Sequence, residues 1–140
     1  MAYNVLIVDD SRSMRKVIQK ALQLSGFQVG ECLEASNGQE ALDILEGNWI
    51  DLIVSDISMP VMDGIEFIRS LRERDIGRDT PVVFVTSEAN QERLARLMDL
   101  GAGGYIRKPF RPEEIGNLLN RVIGDTDAFR MGNSAEGSDF

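Results

Sequence analysis

The chain has 140 residues, of which 43% are hydrophobic and 27% are charged, which is the composition of an ordinary globular domain. A domain of this size buries enough surface to fold without disulfides or a structural metal. With 15 lysines and arginines against 23 aspartates and glutamates, the net charge is −8. This charge disfavours binding to nucleic-acid phosphates and to anionic membrane surfaces.

The sequence contains no histidine and one cysteine, Cys32. The lack of histidine excludes Ser-His and Cys-His dyads, zinc sites built on imidazole, and a role as a histidine phosphodonor. The single cysteine excludes an internal disulfide and fits a reducing compartment. A bound metal would take mainly oxygen ligands, which favours Mg²⁺, Mn²⁺ or Ca²⁺. We expect no membrane span, no leader segment and a cytoplasmic location.

The first half of the chain alternates two strand patterns with two helix patterns. The run from Val5 to Val8 is uniformly apolar and too short for a helix, which predicts a buried parallel strand. A stripe at helical spacing then predicts a helix that ends at Gly26. A weaker strand pattern covers 27–33, and a second stripe predicts a helix between Asn37 and Gly47. The apolar positions of the two helices are Met14, Val17, Ile18, Ala21 and Leu22, and then Ala41, Leu42 and Leu45.

The second half repeats this alternation three times. The runs from Leu52 to Val54 and from Val82 to Val85 predict buried strands, and a weaker pattern at 104–107 predicts a third. Helical spacing follows each strand, at Ile65, Ile68 and Leu71, at Leu94, Leu97 and Met98, and at Ile115, Leu118, Leu119, Val122 and Ile123. Alternating strands and helices predict an α/β fold, in which a parallel sheet carries helices on both faces.

The predicted elements end at Gly124, so residues 1–124 are assigned to one domain. The segment 125–140 has few apolar residues and no period, which predicts a disordered tail. No further domain is expected to follow. Trp49, Met62 and Met98 are compatible with an interface or with the hydrophobic core, and we favour the core, because methionine and tryptophan commonly fill gaps there.

Reactive side chains follow the predicted strands. In chain order they are Asp9 and Asp10, then Ser55 and Asp56, then Thr86 and Ser87, and then Arg107, Lys108 and Pro109. Taken singly, each has a structural explanation, such as an aspartate that caps the next helix. The carboxyl ends of parallel strands share one edge of the sheet, where ligands bind in open α/β folds. Three carboxylates at this edge repel one another unless they share a cation.

The chemistry that fits this edge is phosphoryl transfer. Magnesium takes one or two carboxylates, several waters and a phosphate oxygen. A carboxylate beside the metal can attack phosphorus to give an acyl phosphate. Lys108 would supply a positive charge and Thr86 a hydroxyl donor for the charge that develops on the phosphoryl oxygens.

These residues resemble the receiver domain of two-component response regulators, most closely single-domain, chemotaxis-type (CheY-like) regulators. The resemblance covers residues 4–123 and rests on four motifs in order, which are Val5-Leu6-Ile7-Val8-Asp9-Asp10, Ser55-Asp56-Ile57-Ser58-Met59-Pro60 with Asp63-Gly64, Val85-Thr86-Ser87, and Lys108-Pro109-Phe110. It implies a flavodoxin-like, doubly wound sheet of five parallel strands in the order 2-1-3-4-5, with five helices.

The resemblance also implies a role for each matching residue. Asp56 corresponds to the aspartate that is phosphorylated, and Lys108 to the lysine that contacts the phosphoryl group. The magnesium ligands would be the side chains of Asp9, Asp10 and Asp56 and the backbone carbonyl of Ser58. Thr86 and Tyr105 correspond to a switch pair, and Pro109 to a proline that is often cis.

The resulting hypothesis is a signalling domain and not an enzyme in the usual sense, since it catalyses only its own phosphorylation and dephosphorylation. Asp56 would accept a phosphoryl group from a sensor histidine kinase or a phosphotransfer protein, with Mg²⁺ as the cofactor. The added charge would switch a protein-binding face formed by the fourth helix and the fifth strand and helix. A downstream protein would read that face, with no nucleic acid or membrane involved. The resemblance also implies that Ser58 and Glu88 occupy positions that tune phosphoryl lifetime in such domains.

Two alternatives remain open from the sequence. A haloacid-dehalogenase-type phosphatase also uses an aspartyl nucleophile on a parallel sheet. It requires a second aspartate two residues later, where this chain has Ser58. A pseudo-receiver would bind proteins through the same fold without being phosphorylated, and it would not need the chemical residues that this chain retains. Nucleotide binding is disfavoured, because no phosphate-loop motif is present.

Overall fold

The computed structural model describes residues 2–75 and 77–135, with side chains as far as Gly124. Five strands and five helices alternate along this part of the chain. In order they are β1 (Tyr3–Val8), α1 (Arg12–Ser25), β2 (Val29–Ala35), α2 (Gly38–Gly47), β3 (Leu52–Ser55), α3 (Gly64–Arg72), β4 (Val82–Thr86), α4 (Gln91–Asp99), β5 (Gly104–Arg107) and α5 (Pro112–Ala135).

The strands form one parallel sheet in the order β2-β1-β3-β4-β5. β3 and β4 are buried along their whole length, since helices cover both faces of the sheet. The strand order reverses between β1 and β3, and their carboxyl ends lie side by side because Val8 pairs with Ser55. The predicted flavodoxin-like fold, with five parallel strands and five helices, is confirmed.

The hydrophobic core is divided between the two faces of the sheet. Alternate residues of each strand point to opposite faces, so Leu6 and Val8 pack toward α2, α3 and α4, whereas Val5 and Ile7 pack toward α1 and α5. Both layers contain fully buried side chains, such as Phe67 on the first face. A sheet held rigidly between two packed layers fixes the positions of the residues that follow its strands.

The helices begin at short polar residues that bind the first free backbone N–H groups. The side chains of Ser11, Asn37, Asp63 and Asn90 each accept a hydrogen bond from the third residue of the following helix. At α3 the bond is reciprocal, because the side chain of Glu66 accepts from the backbone N–H of Asp63. These caps start the helices directly beyond the sheet edge.

The bounds of β2 and α5 differ from the sequence predictions. β2 lies two residues later than predicted, at Val29–Ala35, because Phe27 belongs to the core without being part of the strand. α5 continues as helix to Ala135, past the boundary predicted at Gly124, since a helix that is already formed propagates at little cost through residues without proline. The rest of the predicted tail, 136–140, lies outside the described residues.

The assignment of Trp49 and Met98 to the core is wrong. Trp49 is 74% exposed at the start of β3, and Met98 is 43% exposed on α4. Only Met62 packs against the core as expected. Within the part of the chain that the structure describes, none of the helices combines the length and the hydropathy that a membrane crossing requires.

Candidate functional site

Backbone hydrogen bonds continue past the strand ends and fix the first residues of the loops. The N–H of Asp9 donates to the carbonyl of Ala35 at 3.0 Å, and the N–H of Asp56 donates to the carbonyl of Val8 at 2.9 Å. On the other side of the sheet, the N–H of Lys108 donates to the carbonyl of Thr86 at 2.8 Å. The residues predicted to be reactive therefore start from rigid positions at one edge.

Three carboxylates meet at this edge. Asp9, Asp10 and Asp56 each offer a carboxylate oxygen, and these oxygens lie within 4.8 Å of one another. Asp9 is buried at 1% exposure, Asp56 is nearly buried at 8%, and Asp10 is exposed. The cluster therefore opens to solvent on the side of Asp10.

Lys108 bridges two of these carboxylates. Its Nζ lies 3.2 Å from Asp9 Oδ2 and 3.2 Å from Asp56 Oδ2. The lysine side chain is 16% exposed, so both ion pairs are largely shielded from solvent. Because Lys108 is far from both aspartates in sequence, this contact exists only when β5 takes its place in the sheet.

The two oxygens of Asp56 have different surroundings. Oδ1 accepts a hydrogen bond from the backbone N–H of Ile57 at 2.7 Å, which fixes the orientation of the carboxylate. Oδ2 points toward the ammonium group of Lys108. One oxygen is thus held by the backbone, while the other faces the ammonium group of Lys108.

Burial changes the electrostatics of Asp9. Loss of solvent raises the pKa of the Asp9 carboxyl above its usual value, and the nearby charge of Asp56 raises that pKa further. The hydrogen bond from the N–H of Ser11, at 2.9 Å, and the ammonium of Lys108 act in the opposite direction. The single positive charge of Lys108 therefore compensates only part of the negative charge of these two adjacent carboxylates.

The donor set fits a divalent metal ion. Three carboxylates and one ammonium leave a formal charge of −2, which one divalent cation neutralises. All the side-chain ligands on offer are oxygens, which suits Mg²⁺ and disfavours zinc or copper. The pKa of Asp9 is raised mainly by burial and to a smaller extent by the charge of Asp56, so a cation bound beside Asp9 would favour its ionised form.

The residues proposed for the switch lie on the neighbouring strands β4 and β5, where Thr86 is the last residue of β4 and Tyr105 is the second residue of β5. Thr86 is buried, and its Oγ1 accepts a hydrogen bond from the backbone N–H of Glu88 at 3.0 Å. Tyr105 is half-buried and packs against the core on the face of α2, α3 and α4. Because Thr86 pairs with Arg107 in the register of β4 and β5, Thr86 and Tyr105 belong to the same face of the sheet.

The other predicted residues lie in the loops around the cluster. Ser58 is exposed and follows Asp56 by two residues in the loop between β3 and α3. The peptide bond between Lys108 and Pro109 is cis. The carboxylate of Glu88 accepts a hydrogen bond from the N–H of Asn90 and lies 3.1 Å from Arg93 Nε on α4.

Some contacts of the site were not predicted from the sequence. Nothing in the apolar pattern distinguishes Arg15 from the other basic residues of α1, yet its side chain reaches the backbone carbonyl of Asp9 at 2.6 Å. Arg93 likewise has no sequence signal for its contact with Glu88. The only available signal was for Ser11, since a serine between an acidic pair and a helical stripe predicts a helix cap.

Comparison with known proteins gives a consistent family. A family model described as the response regulator receiver domain matches residues 5–120. The chain is 34% identical over 121 residues to a chemotaxis protein CheY homolog of Campylobacter jejuni, covering 86% of this chain and 92% of that protein. It is 37% identical over 123 residues to the probable transcriptional regulator ycf29 of Porphyra purpurea, covering 88% of this chain. The chain spans only 57% of the length of that regulator.

A solved structure supports the same family. The chemotaxis response regulator CheY4 of Vibrio cholerae is 37% identical in sequence and superposes with a TM-score of 0.76, over 87% of this chain and 99% of that one. Receiver domains are signalling domains, and the match to this family disfavours the phosphatase alternative. The carboxylates and the lysine gathered at the sheet edge thus belong to a CheY-like member of the response regulator receiver domain family.

Proposed function

We propose that this receiver domain accepts a phosphoryl group on Asp56 from a phosphohistidine of a sensor histidine kinase or phosphotransfer protein, in the presence of Mg²⁺. The observation that carries the proposal is the bridge made by Lys108, whose Nζ lies 3.2 Å from both Asp9 and Asp56. This contact places the ammonium group that phosphoryl transfer needs directly beside the acidic cluster. The phosphohistidine lies outside these 140 residues, which contain no histidine.

The reaction transfers one phosphoryl group between two proteins. An oxygen of the Asp56 carboxylate forms a bond to phosphorus while the N–P bond of the phosphohistidine breaks, and the electron pair of that bond returns to the imidazole. We assign Oδ2 as the attacking oxygen, because the N–H of Ile57 already occupies Oδ1. Lys108 then binds a phosphoryl oxygen instead of bridging two aspartates, and its charge stabilises the transferring group.

The ligands proposed for Mg²⁺ are the carboxylates of Asp9, Asp10 and Asp56 and the backbone carbonyl of Ser58. When bound, the ion neutralises negative charge on the phosphoryl oxygens and lets them approach a carboxylate. The role of Asp9 and Asp10 is to hold the ion beside the acceptor. Asp10, which is exposed, forms the side of the site from which solvent and the donor enter.

The output of phosphorylation is proposed to be a change in protein binding. The hydroxyl of Thr86 would leave the N–H of Glu88 to bind the phosphoryl group, and Tyr105 would turn toward the space that Thr86 vacates. The surface of α4, β5 and α5 would then bind a downstream protein, in the cytoplasm. We place the domain boundary at Gly124, directly after the last apolar residue at helical spacing, Ile123.

The test is phosphorylation by acetyl phosphate, with and without Mg²⁺, followed by intact mass. We expect the parent chain to gain one phosphoryl group only with Mg²⁺ and the Asp56→Asn variant to gain none. The matched control is Asp43→Asn, which removes an exposed carboxylate of α2 away from the sheet edge. This control should be phosphorylated to the parent level.

Three outcomes would contradict the proposal in different ways. Equal phosphorylation of Asp56→Asn would exclude Asp56 as the acceptor. A parent chain that gains no phosphate from acetyl phosphate, and none from phosphorylated histidine kinases, would be a pseudo-receiver. Multiple turnover of a free phosphate ester would indicate a phosphatase.

A further inference from the structure

The contacts of Arg15 connect the acidic cluster to the edge strand of the sheet. Its Nη1 donates to the backbone carbonyl oxygen of Asp9 at 2.6 Å, and its Nε donates to Glu34 Oε1 on β2 at 2.8 Å. The Arg15 side chain is only 14% exposed. Its planar guanidinium group therefore spans two acceptors on different elements at once, which a single ammonium group does not do as well.

These contacts fix the backbone at Asp9 from both sides. The N–H of Asp9 donates to the carbonyl of Ala35, the residue after Glu34 on β2, and its carbonyl accepts from Arg15. The Asp9 carbonyl and the Asp10 N–H belong to one planar peptide unit. By holding this unit, Arg15 sets the direction in which the exposed Asp10 side chain leaves the backbone.

We propose that Arg15 is a positioning residue for the metal site, holding the Asp9–Asp10 peptide so that both carboxylates converge with Asp56 on one Mg²⁺ ion. This inference rests on the proposed function, since it assumes that the acidic cluster binds Mg²⁺. Arg15 touches neither the ion nor the phosphoryl group in this scheme. It acts through the backbone, and Glu34 anchors its guanidinium.

An electrostatic role and a positioning role of Arg15 predict opposite effects on Mg²⁺ binding when Arg15 is replaced. A positive charge close to a cation site repels the cation, so removing it by charge alone strengthens Mg²⁺ binding. Losing a group that orients metal ligands weakens binding, typically by a factor of about 10 to 100. The direction of the change therefore separates a positioning role from a simple electrostatic effect.

The experiment is a Mg²⁺ titration of the full chain, followed by backbone amide chemical shifts in the loop after β1. The variants are Arg15→Gln and Arg15→Lys, and the matched control is Lys16→Gln. Lys16 binds the same Glu34 at 2.9 Å but is 53% exposed and makes no contact with Asp9 among those described. The Arg15→Lys variant keeps the charge and the aliphatic stem, so it guards against a loss of folding in Arg15→Gln.

We expect the half-saturating Mg²⁺ concentration to rise about tenfold in both Arg15 variants and to stay within about twofold of the parent, or fall slightly, in Lys16→Gln. Mg²⁺ binding at the parent concentration, or tighter, in both Arg15 variants would overturn the inference and leave the proposed function intact. A parent chain that shows no Mg²⁺-dependent shifts would instead overturn the proposed metal site itself.

Discussion

At the scale of single residues, the site depends on a few side chains that each serve two partners. Lys108 joins Asp9 to Asp56, and Glu34 receives donors from three residues of α1. Its carboxylate accepts from Arg15 Nε at 2.8 Å, from Lys16 Nζ at 2.9 Å and from Gln19 Nε2 at 3.4 Å. Such shared groups couple the edge strand to the loop that carries the acidic pair.

The contacts of Glu34 predict a dependence of stability on pH. Hydrogen bonds from Lys16 and then Arg15 lower the pKa of Glu34 below its ordinary value of 4.5. A carboxylate with a lowered folded-state pKa contributes stability above the ordinary value and loses it as the pH falls through the folded-state pKa. The contribution is therefore present at neutral pH, begins to fall as the pH drops below 4.5, and is lost as the pH passes through the lowered folded-state pKa of Glu34.

The measurement is urea unfolding of the Glu34→Gln variant between pH 3 and pH 7. We expect the variant to be about 1 kcal/mol less stable than the parent at neutral pH, and the difference to shrink toward zero in acid. The control is Glu31→Gln, an exposed position on the same strand. A stability difference that does not vary with pH would contradict the assignment of this effect to the Glu34 carboxylate.

At the scale of elements, the junction between β3 and α3 brings the backbone close to the acceptor residue. The N–H of Gly64 donates to the carbonyl of Ile57 at 2.7 Å. A Cβ atom at Gly64 would lie 2.6 Å from the carbonyl oxygen of Asp56 and 2.9 Å from the ring of Phe84. The backbone therefore has no room for a side chain here, although α3 begins at this residue.

The Gly64→Ala variant tests this close approach. We expect it to lower the free energy of unfolding by about 3 kcal/mol and to slow phosphorylation, because relief of the clash displaces Asp56. The control is Gly47→Ala in α2, where a Cβ would meet nothing within 4 Å. That substitution should stabilise the chain by about 0.5 to 1 kcal/mol through helix propensity. Equal effects at the two glycines in urea unfolding would refute the steric explanation.

The strands that are buried on both faces were predicted more accurately than the partly exposed edge strand. β3 and β4 were predicted within one residue, because strands covered on both faces are uniformly apolar. β2 was displaced by two residues, since an edge strand with exposed positions has a weaker apolar pattern. The extension of α5 to Ala135 has no apolar period to reveal it.

The site was predictable to the extent that strand ends determine it. Residues that follow directly after β1, β3 and β5 had to meet at one edge, so Asp9, Asp56 and Lys108 could be placed from the sequence. The contact of Arg15 could not, because a long flexible side chain on α1 has several directions available and its acceptor is a backbone carbonyl. The roles proposed for these residues rest on the family and on the geometry together.

At the scale of the whole molecule, the sheet carries the acidic cluster on one edge, and we propose that a signal passes from this edge to one face. Thr86 connects the two, since it ends β4 next to the acidic cluster and its hydroxyl accepts from the loop that leads into α4. That loop is held in turn by the bond from Asn90 to Glu88 and by the close approach of Arg93 to Glu88. A movement of the Thr86 hydroxyl therefore breaks a contact that is continuous with the first turn of α4.

A Thr86→Ala variant should separate phosphorylation from its consequences. We expect it to bind beryllofluoride with Mg²⁺, since Asp56 and Lys108 are unchanged, but to lose the amide shift changes at Tyr105 and in α4 that the parent shows. The control is Thr86→Ser, which retains the hydroxyl and should respond like the parent. If Thr86→Ala shows the full response of α4, the hydroxyl is not part of the switch.

The position of Trp49 determines how this domain can be observed. It is the only tryptophan, and it lies before β3, whereas Asp56 follows that strand, about 20 Å away. Its indole is solvated and tethered to Asp51 by a 2.9 Å bond. Intrinsic fluorescence will therefore stay silent during ion or phosphate uptake and change little on denaturation. An optical assay will need a fluorophore introduced near Met59, in a variant that also carries Trp49→Phe.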